Sequence, residues 1–140
     1  MIETFETVAK AVADPNRTRI LKLLEGGELC VCQITTVINL SPGGISKHLN
    51  ALKAAGLVQQ RRGGKWVYYR LADREINPNA TQFLALLRDS LNDDPTVVED
   101  RELLSHVNFI PLGILCAQGR AAIAPVVDEP LSSPCCGVSP

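Results

Sequence analysis

Along the first hundred residues, apolar positions recur at helical spacing in short runs, and most runs open on a capping residue followed by proline. Ile2, Phe5, Ala9 and Val12 predict a first amphipathic helix. Asp14-Pro15 then places an N-cap ahead of proline at the first helical position. Ile20, Leu21, Leu23 and Leu24 form the apolar side of that second helix, and Gly26-Gly27 ends it. Ile34, Val37 and Ile38 predict a short third helix stopping near Leu40. The β-branched content of this stretch (Val31, Ile34, Thr35, Thr36, Val37, Ile38) would suit a strand equally well. Ser41-Pro42 repeats the cap-and-proline start for a helix with Ile45, Leu49 and Leu52 on one face and Gly56 as its stop.

Two short helices joined by a tight corner at Leu40-Ser41 have the form of a helix-turn-helix. The pattern next changes to two strands, 57–62 and 65–71, around a Gly63-Gly64 turn, so a hairpin rich in basic and aromatic residues follows directly, as a wing would. Trp66, Tyr68 and Tyr69 are expected to pack the hairpin rather than stack on bases. Asn77-Pro78 opens a helix bearing Phe83, Leu84 and Leu87, with Leu91 beyond, and Asp94-Pro95 opens another through Val98, Leu103, Leu104 and Val107. An apolar-faced helix outside the helix-turn-helix and wing needs a covering surface, and a partner subunit is expected to supply it. After Asn108, prolines at 111, 125, 130, 134 and 140 interrupt a weakly charged stretch. The expected organisation is therefore a mostly α fold with a small β hairpin, a homodimeric winged helix-turn-helix over residues 1–108, and an irregular cysteine-containing tail over 109–140.

Charge sharpens this picture. The net charge of the 140-residue chain is only −1. Between Leu29 and Ala72, however, there are six Lys or Arg and no Asp or Glu, whereas Asp73 to Ile110 holds eight acids and three bases. A basic stretch over the helix-turn-helix and hairpin suits a polyanion, although a solvated face has the same composition. Opposite Ile45, Leu49 and Leu52, the recognition helix would display Gly43, Ser46, Lys47 and Asn50 to a DNA groove. Arg61, Arg62 and Lys65 are expected to lie against the phosphates or a minor groove of double-stranded DNA, with Ser41 and Lys53 as further contacts. No run of about 20 apolar residues indicates a membrane span, and the N-terminus lacks the cationic flank and apolar run of a secretory signal. A cytoplasmic protein is expected.

Five cysteines in such a chain suggest free or metal-bound thiols rather than a disulfide framework. Cys30 and Cys32 stand one residue apart. Side chains at i and i+2 of an α-helix point about 200° apart, so these two can share an ion only if the backbone there leaves the helix. The alternative is that both simply pack a helix start. Cys116 and the vicinal Cys135-Cys136 carry the remaining thiols. Neither C-x-x-C nor a phosphate-loop pattern is present, and an enzyme is not expected.

Taken together, Glu28-Leu29-Cys30-Val31-Cys32, Leu40-Ser41-Pro42-Gly43-Gly44-Ile45-Ser46-Lys47-His48-Leu49, Ala54-Ala55-Gly56-Leu57-Val58 and Gly64-Lys65-Trp66-Val67-Tyr68-Tyr69-Arg70-Leu71 resemble the ArsR/SmtB family of metalloregulatory repressors, and the arsenic/antimony branch most. The resemblance implies a winged-helix homodimer that binds its operator when apo and leaves it when As(III) or Sb(III) is held by thiolates. Cd(II) or Pb(II) as inducer, or a thiol redox response, are the alternatives. The chain departs from the family at several points. Thr35 stands where arsenic repressors of this kind carry a third Cys, no Cys precedes Cys30, and His106 is alone where zinc sensors use a set of ligands. Pro42 and Gly43-Gly44 replace larger residues at the start of the recognition helix. Cys30 and Cys32 are thus expected to supply two ligands, with Cys116, Cys135 or Cys136 closing the site from the same or the other subunit, and binding is expected to unwind the turn at Cys30–Cys32.

Overall fold

The computed structural model describes residues 1–123. Helices α1 (Ile2–Val12) and α2 (Pro15–Leu24) are followed by a two-residue strand β1 (Leu29–Cys30), then α3 (Val31–Ile38) and α4 (Pro42–Ala54). The hairpin β2 (Val58–Gly63) and β3 (Trp66–Leu71) leads into α5 (Pro78–Arg88), α6 (Pro95–Val107), α7 (Leu112–Gln118) and a terminal 3-10 turn over Gly119–Ala122. The three strands form one antiparallel sheet in the order β1-β3-β2. This is a winged helix-turn-helix followed by three further helices and the 3-10 turn.

The cap-and-proline starts form as the sequence predicts. Asp14, Ser41, Asn77 and Asp94 each accept backbone N–H donors at the head of their helices, with proline next in line. In the 31–38 stretch helix wins over strand, because its β-branched residues bury one helical face: Ile34, Val37 and Ile38 lie in the core. Thr35 and Thr36 turn their hydroxyls back to the carbonyls of Val31 and Cys32, each at 2.8 Å. The hairpin turn lies one residue later than expected. Gly63 pairs with Trp66, leaving Gly64-Lys65 as the loop, and Gly64 supplies the positive φ (63°) that a tight hairpin needs at its first central position. Gly56 is equally constrained, since it combines φ 79° with the Asn77 side chain 3.3 Å from where a Cβ would stand.

Ile20, Leu21, Ile34, Ile45, Leu49, Leu52 and Leu57 are completely enclosed, each adding about 2 kcal/mol of burial. Three expectations differ from what is observed. On α1 the buried positions are Val8 and Ala11, while Ile2 and Phe5 face outward, 81% and 62% exposed. The cover for α6 comes from α2 and α3 of its own chain, where Arg19 draws in Asp100 through two 2.9 Å bonds beside buried Val97 and Val107. The stretch after Asn108 is not irregular at its start: α7 and the 3-10 turn pack on α3, with Leu115 and Ile123 in the same core as α2 to α4. Residues 124–140 lie outside the described part. No described helix is long and apolar enough to cross a membrane.

Lys22 was unremarked in the sequence, yet it is only 1% exposed. Its Nζ donates to the Leu87 carbonyl at 2.9 Å and to Asn92 Oδ1 at 3.0 Å, and pairs with Glu25 at 2.8 Å. Arg101 joins from α6, donating to Glu25 at 3.1 Å and to Asn92 at 3.3 Å. One ammonium thus ties α2 to the end of α5 and, through shared acceptors, to α6. Replacing Lys22 with Ala strips the buried Leu87 carbonyl of its donor and leaves Glu25 and Asn92 without the ammonium, and a loss of about 2–4 kcal/mol is expected in chemical denaturation.

Candidate thiolate site and nucleic-acid interface

Cys30 is the N-cap of α3, and its backbone is extended, with φ −73° and ψ 148°. Cys32 lies inside the first turn. The break in helical geometry that lets two thiols at i and i+2 converge is therefore already present, and the unwinding expected on binding is not needed to bring them together. Two interactions hold Cys30 in place. It pairs with Tyr68 of β3, and it shares a capping box in which its sulfur faces the Gln33 backbone N–H while Gln33 Oε1 accepts from the Cys30 N–H at 2.8 Å. The spacing Cys30-x-x-Gln33 was a legible signal for this cap, with sulfur in place of the usual hydroxyl. Gln33 Nε2 donates onward to Asn108 Oδ1 at 3.1 Å, fixing the end of α6 against the head of α3.

Helix α7 lies along α3 and brings Cys116 to the same point. The sulfurs of Cys30, Cys32 and Cys116 all lie within 4.8 Å of one another. Cys30 is buried at 1% exposure and Cys32 is half-buried. Cys32 and Cys116 are joined as a disulfide, their Cα atoms 5.2 Å apart, and Cys30 is a free thiol. Once that bond is reduced, three thiols face one volume. Sulfurs bound to a common ion at about 2.3 Å in a trigonal arrangement stand about 4 Å apart, so the Cys32 and Cys116 sulfurs, bonded at about 2 Å in their disulfide, must separate by about 2 Å after reduction to admit the ion. Three soft donors and no carboxylate or imidazole suit a thiophilic ion. Among the described residues no other group of three potential ligands gathers. His106 is exposed on α6, and Cys135 and Cys136 lie outside the described residues.

The basic face is built on α4 and the hairpin. Gly43, Ser46, Lys47, Asn50 and Lys53 are exposed on α4, opposite buried Ile45, Leu49 and Leu52. A Cβ added at Gly43 would meet nothing within 4 Å, so no packing requires glycine there and the helix start is bare. The Ser41 hydroxyl accepts the Gly44 N–H at 3.1 Å and keeps its own proton to donate. His48 is half-buried, and its Nδ1 accepts from Arg17 Nε at 3.0 Å, a side-chain bond rather than a backbone one. Lys53 donates to Gln60 at 2.9 Å, while Lys65 lies over the Trp66 ring at 5.4 Å. Tyr69 is buried, and burial pushes its phenol up from the ordinary value.

Arg61 is not a free phosphate contact. It donates to both carboxylate oxygens of Glu28 at 2.7 Å and stacks 4.5 Å above the Tyr68 ring. That pair was missed in the sequence, although Glu28 is the last acid before a long stretch with none. Because Glu28 immediately precedes β1, the ion pair and the β1–β3 pairing both tie the cysteine segment to the wing.

These features place the chain among known proteins. Residues 14–60 match the model for bacterial regulatory proteins of the arsR family. An HTH-type transcriptional regulator of Methanocaldococcus jannaschii is 43% identical over 79 residues, covering 54% of this chain and 89% of that protein. The chain belongs to the ArsR family. Arsenic resistance transcriptional regulator ArsR1 of Pseudomonas putida is 49% identical over 65 residues, 46% of this chain. The match spans only 51% of that protein's length. Among solved structures, the homodimeric winged helix-turn-helix DNA-binding domain of a possible ArsR-family regulator from Mycobacterium bovis aligns with TM-score 0.54 at 34% identity, over 73% of this chain and 83% of that one. None of these relatives is described as an enzyme.

The Arg61 hydrogen bonds hold the Glu28 carboxyl below its ordinary 4.5. A depressed carboxylate contributes stability above its unfolded value and loses it as pH falls through the folded one. Thermal melts of wild type and Glu28→Gln should therefore differ at about pH 7, and the difference should shrink as pH falls below the ordinary carboxyl value of 4.5. A difference that persists unchanged in acid contradicts the pair.

Proposed function

We propose that this ArsR-family chain is a cytoplasmic transcriptional repressor whose homodimer binds operator DNA when its thiols are reduced and empty. It is released when As(III) or Sb(III) is bound by Cys30, Cys32 and Cys116. The observation that carries the reading is the convergence of three thiols at the head of α3. The printed name of the Pseudomonas putida relative, an arsenic resistance regulator, supports the inducer class. The Mycobacterium bovis domain, described as homodimeric, supports the assembly, and outward-facing Ile2 and Phe5 of α1 and Leu86 of α5 offer apolar surface for it.

The chemistry follows from position. Thiolates are the soft donors that trivalent arsenic and antimony take, and three of them complete a trigonal site that Thr35 denies to α3 alone. Cys30 belongs to β1, hydrogen-bonded to the wing strand, and Cys32 to α3, which joins the recognition helix α4 through Asn39 and Leu40. A shift at the thiols therefore bears on both elements that would touch DNA. In a dimer these must match half-sites about 34 Å apart, so small rotations of each subunit suffice to weaken binding. A 100-fold preference of the ligand for the off-DNA state corresponds to about 2.7 kcal/mol of coupling. Ser41, Gly43, Ser46, Lys47 and Asn50 would enter or border the groove. Lys53, Arg62 and Lys65 would neutralise phosphates, with Arg61 shared between Glu28 and the backbone.

The Cys32–Cys116 disulfide supports a second reading, a redox response at the same residues. Two thiols give up two electrons and two protons to a peroxide, which leaves as two waters, and the S–S bond ties α7 to α3 as an ion would.

Gel shifts separate the two. Reduced wild type is expected to leave its operator on adding arsenite, with apparent affinity falling about 100-fold. Cys30→Ser/Cys32→Ser and Cys116→Ser are expected to stay bound. Release of the double variant by arsenite would overturn the thiolate assignment. Release of wild type by peroxide alone, reversed by dithiothreitol and with no response to arsenite, would establish the redox reading instead.

A further inference from the structure

The segment that delivers Cys116 also reaches the other end of α3. Arg120, four residues on, donates from Nε to the Thr36 carbonyl at 2.7 Å and from a terminal guanidinium nitrogen to the Val37 carbonyl at 3.1 Å. These are among the last carbonyls of α3, groups that have no partner within the helix. The neighbouring Thr35 carbonyl is taken by the Asn39 N–H at 2.9 Å. Asn39 holds a left-handed conformation, φ 64°, and only Leu40 separates it from the Ser41 cap of α4. A guanidinium at a helix C-terminus satisfies the carbonyls and favours the dipole.

We propose that Arg120 is a positioning residue that couples the thiol site to the recognition helix, making residues 112–123 a strap fixed at both ends of α3. The inference rests on the thiolate reading above. Eight residues of α3 span about 12 Å, and the strap runs alongside with fully buried Leu115 and Ile123 holding it against the core. An ion seated among the three sulfurs holds Cys116 at about 4 Å from Cys32, a position different from that of the disulfide, and so moves the strap at the head of α3. The Arg120 fork carries that displacement to the last turn, next to the Asn39–Ser41 corner. Without the fork, the ion is still held by three sulfurs, but the corner no longer follows it.

Arg120→Ala and Arg120→Lys, in the reduced full chain, separate coupling from binding and from folding. Operator affinity without arsenite is read by fluorescence anisotropy, arsenite affinity of the DNA-free protein by thiolate-to-arsenic absorption, and operator affinity again at saturating arsenite. Both variants are expected to keep the first two constants within about 3-fold of wild type, because Arg120 touches neither sulfur nor DNA. The drop in operator affinity caused by arsenite is expected to shrink from about 100-fold to under about 10-fold in Arg120→Ala. Arg120→Lys should fall between, since one ammonium lacks the planar fork that spans two carbonyls. An undiminished arsenite effect in Arg120→Ala overturns the proposal, and so does a parallel loss of arsenite-free operator affinity and arsenite affinity in both variants, which would mean a folding role only. If wild type itself does not respond to arsenite, the thiolate reading fails first, and the two failures are thereby distinguished.

Discussion

Two side chains one residue apart cannot meet on an α-helix, and this constraint governs the thiol site. Cys30 escapes it by standing outside α3, as an extended N-cap paired to the wing, while Cys32 stands inside. The same residue thus ends a strand, caps a helix and presents a sulfur. Its extended backbone is held by the Tyr68 pairing on one side and the Gln33 box on the other, with β1 packed against α3 and β3.

The third sulfur comes from far along the chain. Thr35 cannot supply it, and the extension beyond α5 does so by folding back: α6 locks onto α2 through Arg19 and Asp100, and α7 then has a fixed course along α3. Lys22 secures the start of that return path by tying α2 to the ends of α5 and the loop at Asn92. The site is therefore only as well defined as the packing of this extension. Cys30, Cys32 and Cys116 gather within one chain.

Local rules made much of the fold legible. The four cap-and-proline starts, the apolar face of α4 and the basic hairpin each rest on neighbouring residues, and each is observed close to where those residues place it. The misses have a common cause, which is dependence on distant partners. Asp100 reads as one acid among many until Arg19 is folded against it, the Glu28 that pairs with Arg61 stands 33 residues away in sequence, and Arg120 has no local signature. On α1, helical spacing identified a stripe but could not tell which flank faces inward, because Ile2 and Phe5 are as apolar as Val8 and Ala11. Cys116 was one of three thiols in a proline-broken stretch. Only the apolar anchors Leu115 and Ile123 separate it from Cys135 and Cys136, and they carry no sign of what they pack against.

The central claim is that one ion is held by three sulfurs from the head of α3 and from α7. The most direct measurement is arsenic K-edge X-ray absorption on the reduced chain with one equivalent of arsenite, compared with a chain in which Cys135 and Cys136 are serine. Three sulfur neighbours per arsenic are expected in both samples, matching the cluster of Cys30, Cys32 and Cys116. A sulfur count that falls when Cys135 and Cys136 are removed would contradict it.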